Sequence, residues 1–370
     1  MKNKTKVFSI VLFLSVFMIL VSCQKQKAEW RGTIKELDGV MVVMNPKEPM
    51  YGENTMTLIE EVSIGERAEA EEYMFASVGD IFVGDEGKII VSDSKDTVIK
   101  IFDANGRFIR TIGRKGQGPG EFSRIDSFQI TSKGELLVVD NVNRRLSYFS
   151  LTGDLINSLS IKELPAASNN WEVDTRGNII MDTVQFTTAN QLVVETKIYD
   201  SQHEFVKVLR ASKPYDFSIP FHPFHYWMAT ANDHIVYAYN DTYELQVFGP
   251  AWKLVRRIQK DFDPVKIRED EIEEELKRKR LPSDTEVPSH YPAFHVFVAD
   301  DEGRIFVRTW ERSEDGNSFY YDVFDSDGRY VTKFPFHATP RIIKKEKLYT
   351  VEEDEEGFQM VKRYKITWKY

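Results

Sequence analysis

The clearest feature of this sequence is an internal repeat, whose two best-preserved copies occupy residues 80–113 and 127–160. Each copy contains four short apolar runs that alternate with period two and are separated by turn residues. Such alternation is typical of β-strands, and Asn-Gly pairs mark hairpin turns. The first and last turn glycines are 19 residues apart in both copies: Gly87 and Gly106 in one, Gly134 and Gly153 in the other. Two unrelated loops would not keep this distance, so the copies represent one structural unit.

The same unit recurs with drift along the rest of the chain, where further copies open at residues 176–177, 232–233 and 302–303. A unit of four antiparallel strands that repeats every roughly 40–50 residues is typical of the blades of a β-propeller. The last copy, residues 338–370, has three strand-like runs, and segment 57–64 has no blade of its own. We therefore predict an all-β fold: a six-bladed β-propeller of four-stranded antiparallel blades, closed by the N-terminal strand.

Two segments lie outside the repeat. Residues 30–55 contain apolar runs on either side of the Asp-Gly pair at 38–39, which predicts a hairpin and a leader that pack beside the ring. Residues 264–294 separate the fourth and fifth copies, and their run 268–280 has its acids first and its bases last. This order suits the helix dipole. We therefore predict one short helical insertion between blades four and five, within a propeller that occupies residues 56–370.

The first 22 residues have the composition of an export signal. Three lysines precede an apolar run that ends in Leu-Val-Ser-Cys at Cys23. A basic start, a short apolar stretch and small residues before the cleavage point describe a secretory signal peptide. Leu-Val-Ser-Cys also resembles the bacterial lipobox, which implies cleavage before Cys23, its acylation and a membrane anchor. The alternative is a plain secretory signal with an incidental cysteine. Residues 23–29 are polar and short, and we interpret them as a tether.

The charge of the chain limits its partners. The formal net charge is −9, and loss of the three lysines of the signal would make it −12. Nucleic acid binds through basic patches, so an acidic body argues against it. We expect a monomer in the bacterial cell envelope, held by its N-terminal lipid, that meets an envelope protein or a small-molecule ligand. The residues after Cys23 lack the acidic run associated with surface export in some bacteria, which favours a periplasm-facing position.

Three short sequence segments resemble known families. Residues 113–122, Gly-Arg-Lys-Gly-Gln-Gly-Pro-Gly-Glu-Phe, are similar to the blade-linking signature of NHL-type repeats, and residues 140–144 resemble their Asp-x-x-Asn-Arg turn. Residues 40–51, with Asn45-Pro46 and Pro49, resemble the leader of bacterial six-bladed β-propeller lipoproteins. That family has no common assigned activity, so the resemblance implies a fold and no function. Copies three to five depart from the NHL pattern, because they lack both the linker and the turn.

Histidines and aspartates are the candidate metal ligands. Five of the seven histidines lie within residues 222–295, and an aspartate ends the second run of three copies: Asp93, Asp140 and Asp182. Propeller hydrolases of the gluconolactonase type hold a divalent metal at the channel mouth, so Asp140, His225 and His295 are our metal candidates. The alternatives are that each aspartate caps its own turn and that the histidines fill an aromatic-rich linker. No cofactor is predicted, but the sequence is compatible with a bound divalent metal ion.

The connections from the fourth strand of one blade to the first strand of the next vary most, at residues 114–125, 161–169, 212–224 and 264–294. They share one side of the ring, which we call the linker face, and such insertions mark a binding face. Aromatic and arginine side chains suit recognition, so the candidate binding residues are Arg114, Arg144, His222, His225, Tyr226 and Trp227.

The expected function is binding without catalysis, because no nucleophile–base pair and no fixed metal-ligand spacing stands out. The glycine string at 113–122 is not a phosphate cradle, since a strand follows it where a helix is needed. One alternative is a metal-dependent hydrolase or lyase of the gluconolactonase-like or NHL-like propeller type. A structural scaffold for other envelope proteins is a third possibility.

Overall fold

A computed structural model of the chain describes residues 29–65, 70–165, 170–188, 191–216, 218–230 and 232–369. The expected signal peptide, Cys23 and nearly all of the tether lie outside these residues. In the described ranges, no helix is both long enough and apolar enough to cross a membrane.

Three strands precede the first blade: β1 (Thr33–Leu37), β2 (Val40–Asn45) and β3 (Met56–Ile64). Blade 1 contains β4 (Val78–Val83), β5 (Ile89–Asp93), β6 (Val98–Phe102) and β7 (Phe108–Ile112). Blade 2 contains β8 (Ser127–Ile130), β9 (Leu136–Asp140), β10 (Arg145–Phe149) and β11 (Leu155–Ser160). Blade 3 contains β12 (Trp171–Val173), β13 (Ile179–Phe186), β14 (Leu192–Tyr199) and β15 (Phe205–Ala211).

Blade 4 contains β16 (His225–Ala229), β17 (Ile235–Tyr239), β18 (Glu244–Phe248) and β19 (Leu254–Lys260). The helix α1 (Glu269–Lys279) follows it. Blade 5 contains β20 (Val296–Ala299), β21 (Ile305–Arg312), β22 (Phe319–Phe324) and β23 (Tyr330–Phe336). Blade 6 contains β24 (Pro340–Lys344), β25 (Lys347–Glu353), β26 (Gln359–Trp368) and, as its outermost strand, β3.

The predicted architecture is confirmed. The structure has six blades of antiparallel strands, and each of the first five runs from its inner to its outer strand in chain order. Strand β3 pairs with β26 from Met56↔Trp368 to Ile64↔Val361, so the N-terminal strand closes the sixth blade. The helical insertion is also confirmed, since α1 lies between blades 4 and 5.

The recurring glycine of the last hairpin turn has a packing role. Gly106 has φ +79°, and a Cβ there would lie 2.7 Å from Cγ1 of Val62 on β3. Gly328 in blade 5 has φ +84°, and its Cβ would lie 2.7 Å from Cγ1 of Ile258 on β19. In both blades the turn therefore abuts the outer strand of the preceding blade, where a positive φ and a lack of space both favour glycine.

The hydrophobic core is divided among the six junctions between neighbouring blades. Each junction has its own cluster of buried side chains, for example Ile90, Ile101, Phe122 and Phe149 between blades 1 and 2. Every residue of the second strands β5 and β9 is buried, because both faces of these central strands meet a neighbouring blade. Full burial of one such side chain contributes about 1.5–3 kcal/mol, so each junction stabilises the ring.

The N-terminal segment wraps around the outside of three blades, and we call residues 33–64 the N-terminal belt. Strand β2 pairs in parallel with β19, which extends the sheet of blade 4 to six strands. Residues 50–54 then follow β23 of blade 5, where the amides of Met50 and Tyr51 donate to the carbonyls of Tyr330 and Val331 at 3.0 and 2.9 Å. Strand β3 finally completes blade 6. The belt thus connects the outer edges of blades 4, 5 and 6.

A buried asparagine connects the belt to two blades at once. Asn45 is 3% exposed. Its side-chain amide donates to the carbonyls of Gln259 in blade 4 and Gly328 in blade 5 at 3.0 and 2.9 Å. Its side-chain oxygen accepts from the amide of Tyr330 at 2.7 Å. Every buried polar group of this side chain is therefore satisfied, as burial requires.

Candidate functional site

The aspartates that end two of the second strands hold the backbone of their own blades. Asp93 accepts from the amides of Ala76 and Ser77 at 2.8 and 3.1 Å, where the chain enters blade 1. Asp140 accepts from the amides of Ser123 and Asn143 at 2.8 and 3.0 Å in blade 2. Both side chains are fully buried. This geometry is that of turn caps, which satisfy backbone donors.

The equivalent aspartate of blade 3 has different partners. Oδ1 of Asp182 accepts from Nε1 of Trp227 at 2.8 Å and from Oγ1 of Thr196 at 2.7 Å. Oδ2 accepts from Nε2 of His225 at 3.0 Å. Because a carboxylate accepts hydrogen bonds, this contact places the imidazole proton on Nε2. The network joins blades 3 and 4 beneath the linker face, and both His225 and Trp227 are buried within it.

The remaining predicted binding residues are spread along the linker face. Arg114 is exposed and pairs with Glu121 at 2.8 Å. Arg144 donates to the carbonyl of Ile161 at 2.8 Å, which holds the next linker in place. His222 stacks on Tyr215 with ring centroids 5.2 Å apart, and Tyr226 is half-buried on the first strand of blade 4. The structure brings His225, Trp227 and Asp182 together, but Arg114 lies on the connection between blades 1 and 2 and Arg144 lies in blade 2.

The three metal candidates have separate partners. Asp140 caps its turn and His225 bonds to Asp182, whereas Nδ1 of His295 lies 2.8 Å from Nη1 of Arg308. Burial lowers the pKa of His295 to about 4, and the charge of Arg308 adds to the effect. In the part of the chain that the structure describes, no group of three or more His, Cys, Asp or Glu side chains is arranged to hold a metal ion.

A cavity of about 470 Å³ lies at the linker face between blades 4 and 5. Its walls include the belt at residues 47–49 and 53, both ends of the connection between β19 and β20 at 262–265 and 292–293, β21 at 309–311, and Lys333 of β23. Trp310 and Phe262 contribute aromatic surface. The ring of Tyr291 stacks on Trp310, with the two ring centroids 4.1 Å apart, and holds it in place. Small-molecule sites typically have volumes of roughly 300–1,000 Å³.

A buried ion pair forms the floor of this cavity. Nζ of Lys260 lies 3.3 Å from Oδ2 of Asp322, and their side chains are 8% and 2% exposed. The hydroxyls of Tyr243 and Tyr330 each donate to Asp322 at 2.5 Å. Burial and the neighbouring Asp322 raise the pKa of both phenols far above the ordinary value, so both stay protonated. The two rings also flank Nζ of Lys260, with centroids at 5.1 and 4.8 Å.

Two further lysines form ion pairs at the rim of the cavity. Nζ of Lys333 lies 3.1 Å from a carboxylate oxygen of Glu53 on the belt and 2.9 Å from one of Glu311 on β21. Burial opposes the charge of Lys333, but the bonds to Glu311 and Glu53 outweigh this effect and raise its pKa. On the opposite side, Lys47 of the belt pairs with Asp263. The belt is therefore part of the cavity wall, and ion pairs join it to the connection after blade 4 and to blade 5.

A second polar region lies at the centre of the ring. Asp80 on β4 and Glu172 on β12 belong to innermost strands of blades 1 and 3, and their charges interact across the channel. Asp80 is exposed to the channel and Glu172 half-buried. Desolvation within the ring raises the pKa of Glu172 to about 7; the amide of Ala229 opposes this shift and Asp80 adds to it. Glu172 can therefore hold or release a proton near neutral pH.

The cavity residues were not among the sequence-based candidates. Lys260, Tyr243 and Asp322 lie on or beside ordinary strands of two different blades, and no local spacing connects them. Two weak signals existed in the sequence. One is the proline-containing leader at 45–49, and the other is the long connection between β19 and β20, which supplies cavity residues at 262–265 and 292–293.

Comparison with known families gives a partial match. A family model described as a domain of unknown function, DUF4934, matches residues 69–248, just under half of the chain. The matched part spans blades 1 to 3 and three strands of blade 4. No curated protein shows a significant match.

Solved structures share the fold. A protein from Bacteroides fragilis whose export is inferred is 12% identical, with a TM-score of 0.56 over 89% of this chain and 100% of that one. A member of the DUF4221 family from Bacteroides vulgatus is 14% identical, with a TM-score of 0.52 over 85% and 99% of the two chains. A gluconolactonase from Xanthomonas campestris is 11% identical, with a TM-score of 0.45 over 79% and 87%. At these identities the likeness concerns the fold alone.

Proposed function

We propose that this chain is a cell-envelope lipoprotein whose propeller binds a small ligand in the cavity between blades 4 and 5. The observation that carries the proposal is the cavity itself, with its volume of about 470 Å³ and its position on the linker face. Its aromatic walls and fixed polar groups are the usual composition of a ligand site. The floor groups Lys260, Asp322 and Tyr243 bond to one another and to the buried Tyr330 behind them, which keeps the site rigid without a ligand.

Retention of a ligand by the full-length protein tests this proposal. The detergent-extracted protein would be examined by native mass spectrometry for co-purified small molecules. We expect Trp310→Ala, which removes part of the aromatic wall, to lose the bound mass. Trp252→Ala is the matched control, because Trp252 lies on the turn between β18 and β19 and does not line the cavity. Equal retention by the two variants would remove the cavity from the proposal.

The lipid anchor is a separate part of the proposal and rests on the sequence around Cys23. Two or three acyl chains give a firm anchor, since each buried CH₂ contributes about 0.8 kcal/mol. Intact-mass measurement should show an N-terminus at residue 23 that carries acyl chains. Cys23→Ser should remove them and release the protein from the membrane fraction. A secreted wild-type protein with an unmodified thiol would contradict this part and leave the cavity proposal untouched.

A second candidate is the metal-dependent hydrolase or lyase, which the channel carboxylates Asp80 and Glu172 favour. Carboxylates are common ligands for divalent ions, and Asp80 faces the channel. Elemental analysis of the purified protein, together with thermal melts in the presence of calcium, zinc or manganese, separates the candidates. Bound metal and a raised melting temperature that Asp80→Asn abolishes would support a metal site in the channel, which this candidate requires.

A further inference from the structure

The residues that line the cavity carry more negative than positive charge. The acidic ones are Glu48, Glu53, Asp263, Glu311 and Asp322, and the basic ones are Lys47, Lys260 and Lys333. With all of them ionised, the cavity has a formal charge of −2. A site of this sign favours cations and disfavours anions.

The excess negative charge lies at the rim. On the floor, Lys260 is matched by Asp322, and Lys47 is matched by Asp263 on one side of the rim. On the other side, Lys333 alone faces both Glu53 and Glu311, whose side chains are 46% and 50% exposed. Two exposed carboxylates that share one ammonium leave one negative charge at this part of the rim, and the exposed Glu48 supplies the second.

The aromatic surfaces around the cavity already bind cations within the chain. The ammonium of Lys260 lies over the rings of Tyr243 and Tyr330. Lys333 lies 4.4 Å from the centroid of Tyr320. Such contacts arise from the negative face of an aromatic ring, which attracts a cation. Trp310 and Phe262 offer the same kind of surface to the interior of the cavity.

We infer that the cavity takes an organic cation, an amine or guanidinium joined to an apolar body. The charged group lies at the carboxylates of Glu53 and Glu311, and the apolar body packs against Trp310 and Phe262. This inference rests on the proposed function and specifies the ligand class of the same site. A small hydrated metal ion would satisfy the carboxylates but leave the aromatic walls without a partner.

Three probes of similar shape and different charge test the ligand class on the full-length protein in detergent. They are phenethylamine, phenethyl alcohol and hydrocinnamate, titrated by ligand-observed NMR. We expect the amine to bind more tightly than the alcohol, and the anion to bind least. Raising the salt from about 0.05 M to about 0.5 M should weaken amine binding, because the rim carboxylates are exposed.

The variant Glu311→Gln should weaken amine binding about two- to fivefold and leave the alcohol unchanged, since one exposed carboxylate contributes about 0.5–1 kcal/mol. Glu314→Gln is the matched control, because Glu314 is exposed on the turn that follows β21 and does not line the cavity. Equal or tighter binding of hydrocinnamate, or no binding of the amine, overturns the inference. A neutral or anionic molecule that co-purifies and depends on Trp310 would overturn the ligand class and keep the proposed function.

Discussion

One residue position serves different purposes in successive blades. At the end of the second strand, Asp93 and Asp140 cap turns within their own blades. Asp182, which was expected to end its strand, lies inside the longer β13 and instead holds His225 and Trp227 of the next blade. Asn240, which follows the second strand of blade 4, bonds to the amide of Phe224 at 2.7 Å. The polar residues of blades 1, 2 and 4 thus accept from backbone amides, whereas Asp182 of blade 3 accepts from side chains.

Removal of the Asp182 carboxylate should destabilise the protein. In Asp182→Ala, the buried groups of Trp227, Thr196 and His225 lose their acceptor, and the free energy of unfolding should fall by about 2–4 kcal/mol. Asp182→Asn keeps an oxygen for two of these donors and should lose less. Equilibrium urea denaturation measures both, with the exposed Asp284→Ala as control. Unchanged midpoints in both variants would mean that the network does not hold blades 3 and 4 together.

The channel carboxyl of Glu172 should make stability depend on pH. Its folded-state pKa of about 7 lies above the ordinary value of 4.5, so the folded protein favours the protonated form. The stabilisation is complete below about pH 4.5 and is lost as the pH rises through 7. Glu172→Gln has no carboxyl to ionise and so lacks this loss. Its free energy of unfolding, relative to that of wild type, should therefore rise by about 1–3 kcal/mol between about pH 5 and pH 8.

Urea denaturation of wild type and Glu172→Gln at the two pH values tests this prediction. The exposed Glu163→Gln, on the linker after blade 2, is the control and should follow the wild-type curve. Parallel stability profiles for wild type and Glu172→Gln would show that the carboxyl titrates alike in the folded and unfolded states.

At the scale of elements, the strands follow from local patterns and the belt does not. Strands β24, β25 and β26 account for the three strand-like runs expected within residues 338–370, because alternation and turn residues act over a few positions. The parallel pairing of β2 with β19 leaves no such trace, since the Asn45–Gln259 contact spans 214 residues. The cavity escaped prediction for the same reason, because its floor combines Lys260 of blade 4 with Asp322 of blade 5.

Asn45 is the residue through which the belt can be tested. In Asn45→Ala, the carbonyls of Gln259 and Gly328 and the amide of Tyr330 lose a buried partner. We expect a loss of about 2–3 kcal/mol in the free energy of unfolding and faster amide exchange in residues 40–45. Asn157→Ala, on the exposed strand β11, should change neither measurement. Unaltered exchange in Asn45→Ala would show that backbone pairing with β19 is sufficient to hold the belt.

At the scale of the molecule, the ring depends on its closing strand. Deletion of residues 57–64 leaves blade 6 with three strands and exposes the edge of β26. An exposed edge strand pairs readily with other chains, so we expect aggregation and loss of a cooperative thermal transition. Deletion of 33–37 is the control, because every residue of β1 is exposed. Size-exclusion chromatography and calorimetry compare the two, and a soluble, cooperatively melting 57–64 deletion would contradict the closure scheme.

The closing strand also determines when the native state first becomes possible. Thr57 bonds to the carbonyl of Thr367, 310 residues further along the chain. Closing a loop of this length in a disordered chain costs about 5 kcal/mol plus a constant, and such non-local contacts slow folding. Blades formed in between bring the two ends together and reduce that cost, so the final contact follows the others. A nascent chain that stops before residue 359 has no partner for β3, so the ring can close only after residues 359–368 have been synthesised.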